Sequence, residues 1–210
     1  MTVRYAIVTL KGGVSTPGKG RLGQRRLDCR HIATLLLRVV FECMDFLAID
    51  VETACADQGS ICQLGVAFFV QGRCLRTESR LVNPEMEFSA FHIGLHGIHS
   101  AQVANMPIWR EVYPELRAWA RQHVLVSHTF FDMIAVQKAC LRYGITMFPY
   151  AKWIDSCAAA RRAWPHLPNH QLTSLAMHFG LKYKAHDAAE DARIAGEIFL
   201  FSQRNKASRS

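Results

Sequence analysis

Two carboxylates lie two residues apart in the apolar run Phe46–Thr53, at Asp50 and Glu52. Most other residues of this run are strand formers, and its length is that of a strand. Because residues two apart in a strand point to the same face, the acids are expected side by side, about 7 Å apart along the chain. Such carboxylates repel each other and lose solvation, and a divalent cation with oxygen ligands would relieve both effects. The competing interpretation is an edge strand whose acids face water.

Two more acids occur where a predicted element meets its loop. Asp132 follows the strand-like VLVSH and heads the apolar stripe of a helix predicted over 129–144. Asp191 lies on the inner stripe of the last predicted helix, and His186 stands at the entrance of that helix. Periodicity alone does not choose between Asp191 and Asp187, which falls on the same side. The sequence thus offers three acid-bearing positions that the fold could bring together.

The elements that must position these residues begin with three strands joined by short turns, over FLAIDVET, ICQLGVAFFV and RCLRTESRLV. A loop and a short helix lead from there to an amphipathic helix over 109–122, followed by the VLVSH strand and its helix. A fifth strand at KWID and further helical segments complete the chain. This order predicts an α/β domain built on a mixed sheet.

Composition limits the class of protein. Half of the 210 residues are hydrophobic, which is enough for one domain with a sizeable core. No apolar stretch approaches the length of about 18 residues that a membrane span needs, so no membrane association is expected. The seven cysteines are scattered, odd in number and without a C-x-x-C pair. They favour a reducing compartment, taken here as the cytoplasm, over a disulfide scaffold or a zinc site.

Residues 1–43 form a basic, Gly-rich N-terminal segment. Eight Lys or Arg against two acids give it +6 of the total charge of +8, so the remaining chain is nearly neutral and would contact nucleic acid through a local groove. Gly13 to Lys19 fits a phosphate-binding loop, but Gly20 stands where Ser or Thr would hold magnesium, which disfavours an ATPase. The alternatives are a basic arm that holds a polyanion, a targeting peptide, or residues that precede a true start at Met44. We expect this segment to be poorly ordered or dispensable.

Three motifs, in this order, resemble those of the DEDDh 3′→5′ exonucleases, the superfamily of the epsilon proofreading subunit of bacterial replicative polymerases. IDVET is similar to the first motif, SHTFFD to the second and HDAAEDA to the third, and the spacing from His186 to Asp191 is that of the histidine subclass. The resemblance covers about residues 45–203. It implies a ribonuclease-H-like mixed five-stranded sheet, with three antiparallel strands plus two parallel, flanked by helices. We expect an exonuclease domain over 44–204 and a flexible tail over 205–210.

The resemblance also implies a phosphodiesterase that uses two Mg²⁺ or Mn²⁺ ions. Asp50, Glu52 and Asp191 would ligate one ion. Asp50 would bridge to a second ion, which Asp132 would hold through water. Two ions about 4 Å apart stabilise the attacking and leaving oxygens of an in-line displacement, and carboxylates are the hard ligands that such ions prefer. His186 would take the proton from the attacking water, and the product would be a 5′-mononucleotide.

The substrate contacts expected from the resemblance lie on two loops and the end of the first strand. The second motif, from His128 to Asp132, is one residue shorter than the His-Asn-x-x-Phe-Asp of many members and lacks the Asn, which affects the substrate contact of that residue. The candidates for contact with the terminal nucleotide are Thr53, Phe91, His96, Ile98 and Phe130. Phe91, Ile98 or Phe130 would stack on the end base or wedge against it, or would instead be core residues.

The favoured function is a metal-dependent 3′→5′ exonuclease on single-stranded ends, with DNA preferred as substrate. An exoribonuclease that trims RNA 3′ ends is the alternative, because no motif in the chain reads the 2′-hydroxyl. A module that binds ends without cutting them is disfavoured by the complete set of acids and the histidine. No polymerase-docking extension of the epsilon type is evident after the last helix, which favours a stand-alone nuclease in repair or turnover. The sequence does not predict an oligomeric state.

Overall fold

The computed structural model describes residues 45–149 and 153–209, with side chains up to residue 205. The segment predicted over 1–43, including the loop from Gly13 to Lys19, lies outside the described residues. The described strands are β1 (Phe46–Thr53), β2 (Ile61–Val70), β3 (Arg73–Leu81), β4 (Val124–Ser127) and β5 (Trp153–Asp155). They form one five-stranded sheet in the order β3-β2-β1-β4-β5.

The direction of the strands confirms the predicted mixed sheet. β1 pairs with β2, and β2 with β3, in antiparallel register, whereas β1 pairs with β4, and β4 with β5, in parallel. Parallel neighbours end at the same edge of a sheet. The carboxyl end of β1, which carries Asp50 and Glu52, therefore lies at the same edge as the carboxyl end of β4, after which the helix of Asp132 begins.

Seven helices are described. They are α1 (Ala90–His96), α2 (Ser100–Val103), α3 (Trp109–Gln122), α4 (Phe131–Arg142), α5 (Ser156–Ala163), α6 (Leu172–His178) and α7 (Ala188–Arg209). The end of α7 lies beyond residue 204, where the sequence analysis ended the domain and began a flexible tail. None of the helices in the described ranges combines the length and the apolarity needed to cross a membrane.

Helix α1 was predicted as a loop, and that prediction was wrong. No residue of α1 is buried, so packing against the core does not define it as a helix. Its ends define it instead. The Ser89 hydroxyl accepts a hydrogen bond from the His92 N–H at its start, and Gly97 adopts a φ of 74° at its end.

The two faces of the sheet are covered by different helices. On the first, here called the α3–α4 face, Leu47 and Ile49 of β1 pack in one cluster with Trp109, Tyr113 and Leu116 of α3. The other, here called the α7 face, has smaller side chains. There the alternate residues of β1 pack with α7, in a cluster that contains Phe46, Ala48, Ala67, Ala192 and Phe199.

Glycine allows α7 to lie directly on the sheet. A Cβ atom on Gly65 of β2 would stand 2.0 Å from the backbone carbon of Ala188, and one on Gly196 of α7 would stand 2.2 Å from the ring of Phe69. Neither position has room for a side chain. The backbone of the first turn of α7 is therefore in contact with β2.

Candidate active site

A cleft of about 320 Å³ lies at the carboxyl ends of β1 and β4. Its lining residues are Asp50, Val51, Glu52, His128, Thr129, Phe131, Asp132, Leu172, Thr173, Tyr183, Ala185, His186 and Asp191. All five residues that the sequence analysis assigned to the chemistry are among them. They come from β1, α4, the segment before α7, and α7 itself.

The acids of β1 continue the alternation of the strand. Phe46 and Ala48 lie on the α7 face, and Asp50 and Glu52 follow them at the same spacing of two. Val51, between the acids, packs into the cluster on the α3–α4 face. The two carboxylates therefore project toward α7, as their spacing predicts.

Asp132 reaches the site from the other side of the sheet. It lies in the first turn of α4 and is only 3% exposed. Its Oδ1 accepts a hydrogen bond of 3.0 Å from the backbone N–H of Val51. This bond ties the start of α4 to β1 between the two acids of that strand.

Asp191 and His186 are held together by the backbone at the start of α7. Asp191 Oδ2 accepts a hydrogen bond of 2.7 Å from the His186 N–H. His186 has a φ of 60°, a left-handed conformation that non-glycine residues adopt rarely and that is common at functional sites. Ligand atoms of Glu52, His186 and Asp191 all lie within 4.8 Å of one another.

The geometry distinguishes Asp191 from Asp187, which periodicity could not. Asp191 lines the cleft and is 7% exposed. Asp187 is not among the lining residues described, and its Oδ2 lies 3.8 Å from the Lys184 ammonium. Its charge still acts on the site, because it raises the pKa of Asp50, Glu52 and Asp191.

Gln63 of β2 helps to place α7, and the sequence analysis did not identify it. Its Oε1 accepts a hydrogen bond of 3.3 Å from the Ala188 N–H, and its Nε2 donates one of 2.9 Å to the Ser79 hydroxyl. In the β1–β2 register, Glu52 lies opposite Gln63. The strand that pairs with the acids of β1 thus also bonds the first turn of the helix that carries Asp191.

The pKa values of all four carboxylates are raised, in part by the charges of the neighbouring acids. Burial, and then the charges of Asp132, Asp191 and the other nearby acids, raise the pKa of Asp50 well above its usual range. For the same kinds of reason the pKa of Glu52 rises to about 8. Burial raises the pKa of Asp132 to about 7 and that of Asp191 to about 6, although hydrogen bonds from backbone N–H groups partly offset both.

This donor set fits divalent cations. Hard carboxylate oxygens converge in a cleft whose described lining contains no Lys or Arg to balance them. Their raised pKa values express the cost of burying these carboxylates and of gathering their negative charge without a counter-ion. Bound cations would remove that cost.

The predicted substrate residues lie around the acids, and none of them is among the described residues that line the cleft. Phe91 and Phe130 are 70% and 46% exposed. Ile98 is 6% exposed and packs with Cys62 and Val103, so its burial is that of a core residue. Phe131, the neighbour of Phe130, lines the cleft instead.

Thr53 and His96 are bonded to each other. His96 Nε2 lies 3.2 Å from the Thr53 carbonyl oxygen, while its Nδ1 accepts a hydrogen bond of 3.0 Å from the Ile98 N–H. Because Nδ1 is the acceptor, Nε2 must carry the proton and donate it to Thr53. The pair therefore fastens the end of α1 to the end of β1, next to Glu52.

Leu172, Thr173 and Tyr183 also line the cleft, and they could not be identified from the sequence because no spacing marks them. His128, in contrast, belongs to the second motif. His128 bonds the His170 carbonyl oxygen at 2.8 Å and the Ser156 hydroxyl at 3.1 Å, and so joins the end of β4 to the segment before α6. Leu172 and Thr173 then reach the cleft from the first turn of α6. Tyr183 reaches it from the segment between α6 and α7.

Comparison with known proteins gives concordant matches. A family profile described as Exonuclease matches residues 47–199. The DNA polymerase III PolC-type of Caldanaerobacter subterraneus subsp. tengcongensis is 29% identical over 160 residues, which are 74% of this chain but only 11% of that protein. The DNA polymerase III subunit epsilon of Treponema pallidum is 28% identical over 169 residues, which cover 76% of this chain and 77% of that subunit.

A solved structure shares the fold. The nuclease domain of 3′hExo, a DEDDh family member bound to rAMP, superimposes with a TM-score of 0.66 at 20% identity. The superposition covers 76% of this chain and 92% of that domain. The mixed sheet flanked by helices is thus the ribonuclease-H-like fold of these nucleases.

Proposed function

We propose that this chain, which belongs to the exonuclease family and is of the DEDDh type, removes nucleotides one at a time from the 3′ end of single-stranded nucleic acid, with DNA as the preferred substrate. One observation carries the proposal. Asp50, Glu52, Asp132, Asp191 and His186, which are far apart in the sequence, all line one cleft at the carboxyl edge of the sheet. An end-binding module that does not cleave would have no need of this complete set.

The carboxylates would hold two Mg²⁺ or Mn²⁺ ions. Asp50, Glu52 and Asp191 would bind one ion, and Asp50 and Asp132 the other. Such ions, when bound, stabilise the charge that develops on the attacking and leaving oxygens of a phosphodiester. The chain's own contribution is to fix the orientation of these ligands. The Val51 N–H holds the Asp132 carboxylate and the His186 N–H holds that of Asp191.

His186 would move the proton in the reaction. Its ring is exposed at the cleft, and one of its nitrogens lies within 4.8 Å of a ligand oxygen of Glu52 and of Asp191. An imidazole at this place would take up the proton of the attacking water. The product is a 5′-mononucleotide, and the shortened strand keeps a 3′-hydroxyl for the next cycle.

The preference for DNA is supported by the relatives, of which one is a DNA polymerase III of the PolC type and another a subunit of DNA polymerase III. The rAMP in the 3′hExo domain supports the second candidate, an exoribonuclease that acts at the same site. The exposed rings of Phe91 and Phe130 are candidates to stack on the last bases, a contact that does not distinguish the two sugars.

The test is a digestion of matched DNA and RNA oligonucleotides labelled at the 5′ end. We expect a ladder that shortens from the 3′ end in Mg²⁺ or Mn²⁺ and no cleavage in chelator, with DNA cut faster than RNA. Release of the 5′ label as the first product would contradict the proposed polarity. Faster cleavage of the RNA would make the second candidate the better one.

A further inference from the structure

The hydroxyl of Tyr183 is the one buried side-chain polar atom, among the described residues, that has no hydrogen-bond partner. A buried hydroxyl without a partner lowers the stability of the fold, because it has lost its hydrogen bonds to water. Native structures keep few such groups, and each one calls for an explanation, such as a catalytic role or the binding of an ion. The position of Tyr183 identifies that site, because this residue lines the cleft with the four acids.

The ring and the hydroxyl of Tyr183 have different surroundings. The ring packs against the apolar cluster of α5, α6 and α7, which includes Trp164, Leu175 and Ile194. Burial of the hydroxyl, and then the nearby charges of Asp191 and Asp50, raise the pKa of Tyr183 to about 12. The apolar packing therefore anchors the ring and leaves the hydroxyl on the acidic side, next to Asp191.

Tyr183 and Asp191 line the same cleft, and the buried Tyr183 hydroxyl has no formed hydrogen bond there. A phenol has one proton to donate, and an ionised carboxylate only accepts. Asp191 Oδ2 already accepts from the His186 N–H. A second donor on this carboxylate would fix its rotation as well as its position.

We propose that Tyr183 is a positioning residue, whose hydroxyl donates a hydrogen bond to the Asp191 carboxylate and orients it toward a bound divalent cation. The inference rests on the proposed function, because it concerns the same cleft. It adds a residue outside the three motifs and assigns it to the support of one ligand. Partners that orient metal ligands contribute roughly 10- to 100-fold to metal affinity or activity.

The test compares Tyr183→Phe with the wild type in two measurements. We expect the variant to bind Mn²⁺ roughly tenfold more weakly by titration calorimetry. We expect its metal-free melting temperature to be equal or higher, because the change removes an unpaired buried hydroxyl and leaves the packed ring. The matched control is Tyr143→Phe, which removes a hydroxyl bonded to Glu85 at 2.7 Å and not among the described residues that line the cleft. This control should bind Mn²⁺ as the wild type does.

The outcomes separate the two proposals. If the wild type binds no Mn²⁺ and cuts no oligonucleotide, the proposed function itself fails. If the wild type does both and Tyr183→Phe binds Mn²⁺ with unchanged affinity, only the role of Tyr183 is overturned. A lower metal-free melting temperature with unchanged affinity would show that the hydroxyl supports the fold alone, which also overturns it.

Discussion

The two faces of the sheet are packed in opposite ways. On the α3–α4 face, large side chains such as Trp109, Tyr113 and Leu116 fill the space between helix and strand. On the α7 face, Gly65 and Gly196 bring the helix backbone onto the sheet. Three of the four acids belong to the second face. The difference indicates that large buried side chains on the α3–α4 face mainly stabilise the fold. On the α7 face, the close approach of the helix to the sheet places the acids near one another.

The largest expected effect is the loss of a proposed metal ligand on the α7 face. Asp191→Asn keeps the shape of the side chain but removes the charge, and we expect cleavage to fall by roughly three orders of magnitude. The rate of oligonucleotide cleavage in Mg²⁺ measures it. Glu190→Gln is the control, since this neighbour on α7 pairs with Arg193 outside the cleft. Cleavage by Asp191→Asn within tenfold of the wild-type rate would refute the site assignment.

Gly65→Ala and Leu116→Ala test the two faces against each other. The added methyl would stand 2.0 Å from the Ala188 backbone and should displace α7, with a loss of about 1–3 kcal/mol in stability and roughly 100-fold in cleavage rate. Leu116→Ala, at a fully buried position, should lose about 2–5 kcal/mol by leaving a cavity. Its folded fraction should still cleave at nearly the wild-type rate.

Chemical denaturation gives the free energy of unfolding of both variants, and cleavage rates are compared at a temperature where both are folded. Equal losses of activity in the two variants would remove the proposed distinction between the faces.

The smallest expected effect is a dependence of stability on pH. It comes from the acids of the cleft, so a substitution on the apolar α3–α4 face should leave it unchanged. The raised pKa values of Glu52, about 8, and Asp191, about 6, mean that the metal-free folded protein holds protons that the unfolded chain releases near pH 4. The stability of the metal-free protein should therefore fall as the pH rises from about 4 to about 8. Mg²⁺ should restore it, most strongly at the upper end.

Melting temperatures with chelator and with Mg²⁺, at about pH 5 and about pH 8, check this sign. The same pair of measurements on Leu116→Ala should show a lower melting temperature with an unchanged pH dependence. A metal-free protein that gains stability over this window would contradict the raised pKa values.

Much of this arrangement follows from local pattern. The strand formers around Asp50 and Glu52, and the order of three strands before the first long helix, are enough to predict the mixed sheet. The parallel pairing of β1 and β4 then places Asp132 beside the acids of β1. Periodicity alone could not choose between Asp191 and Asp187, whereas the resemblance of the third motif selected Asp191. The structure places Asp191, but not Asp187, among the described residues that line the cleft.

What could not be predicted depends on contacts between distant segments. Helix α1 has no buried residue, so its capping residues rather than an apolar period define it. Gln63 looks like an ordinary polar residue of β2 until Ala188 is seen to bond it. Tyr183 is similar, because only the folded chain shows that its hydroxyl lies beside a carboxylate.

The hydrogen bond from the Val51 N–H to Asp132 has a practical consequence. It ties one backbone amide, near the carboxyl end of the central strand, to a carboxylate that lines the cleft. In a sample labelled with nitrogen-15, the resonance of that amide should move when a cation is titrated in, while amides at the far end of β1 stay still. A single peak would then report the loading of the enzyme without any substrate present.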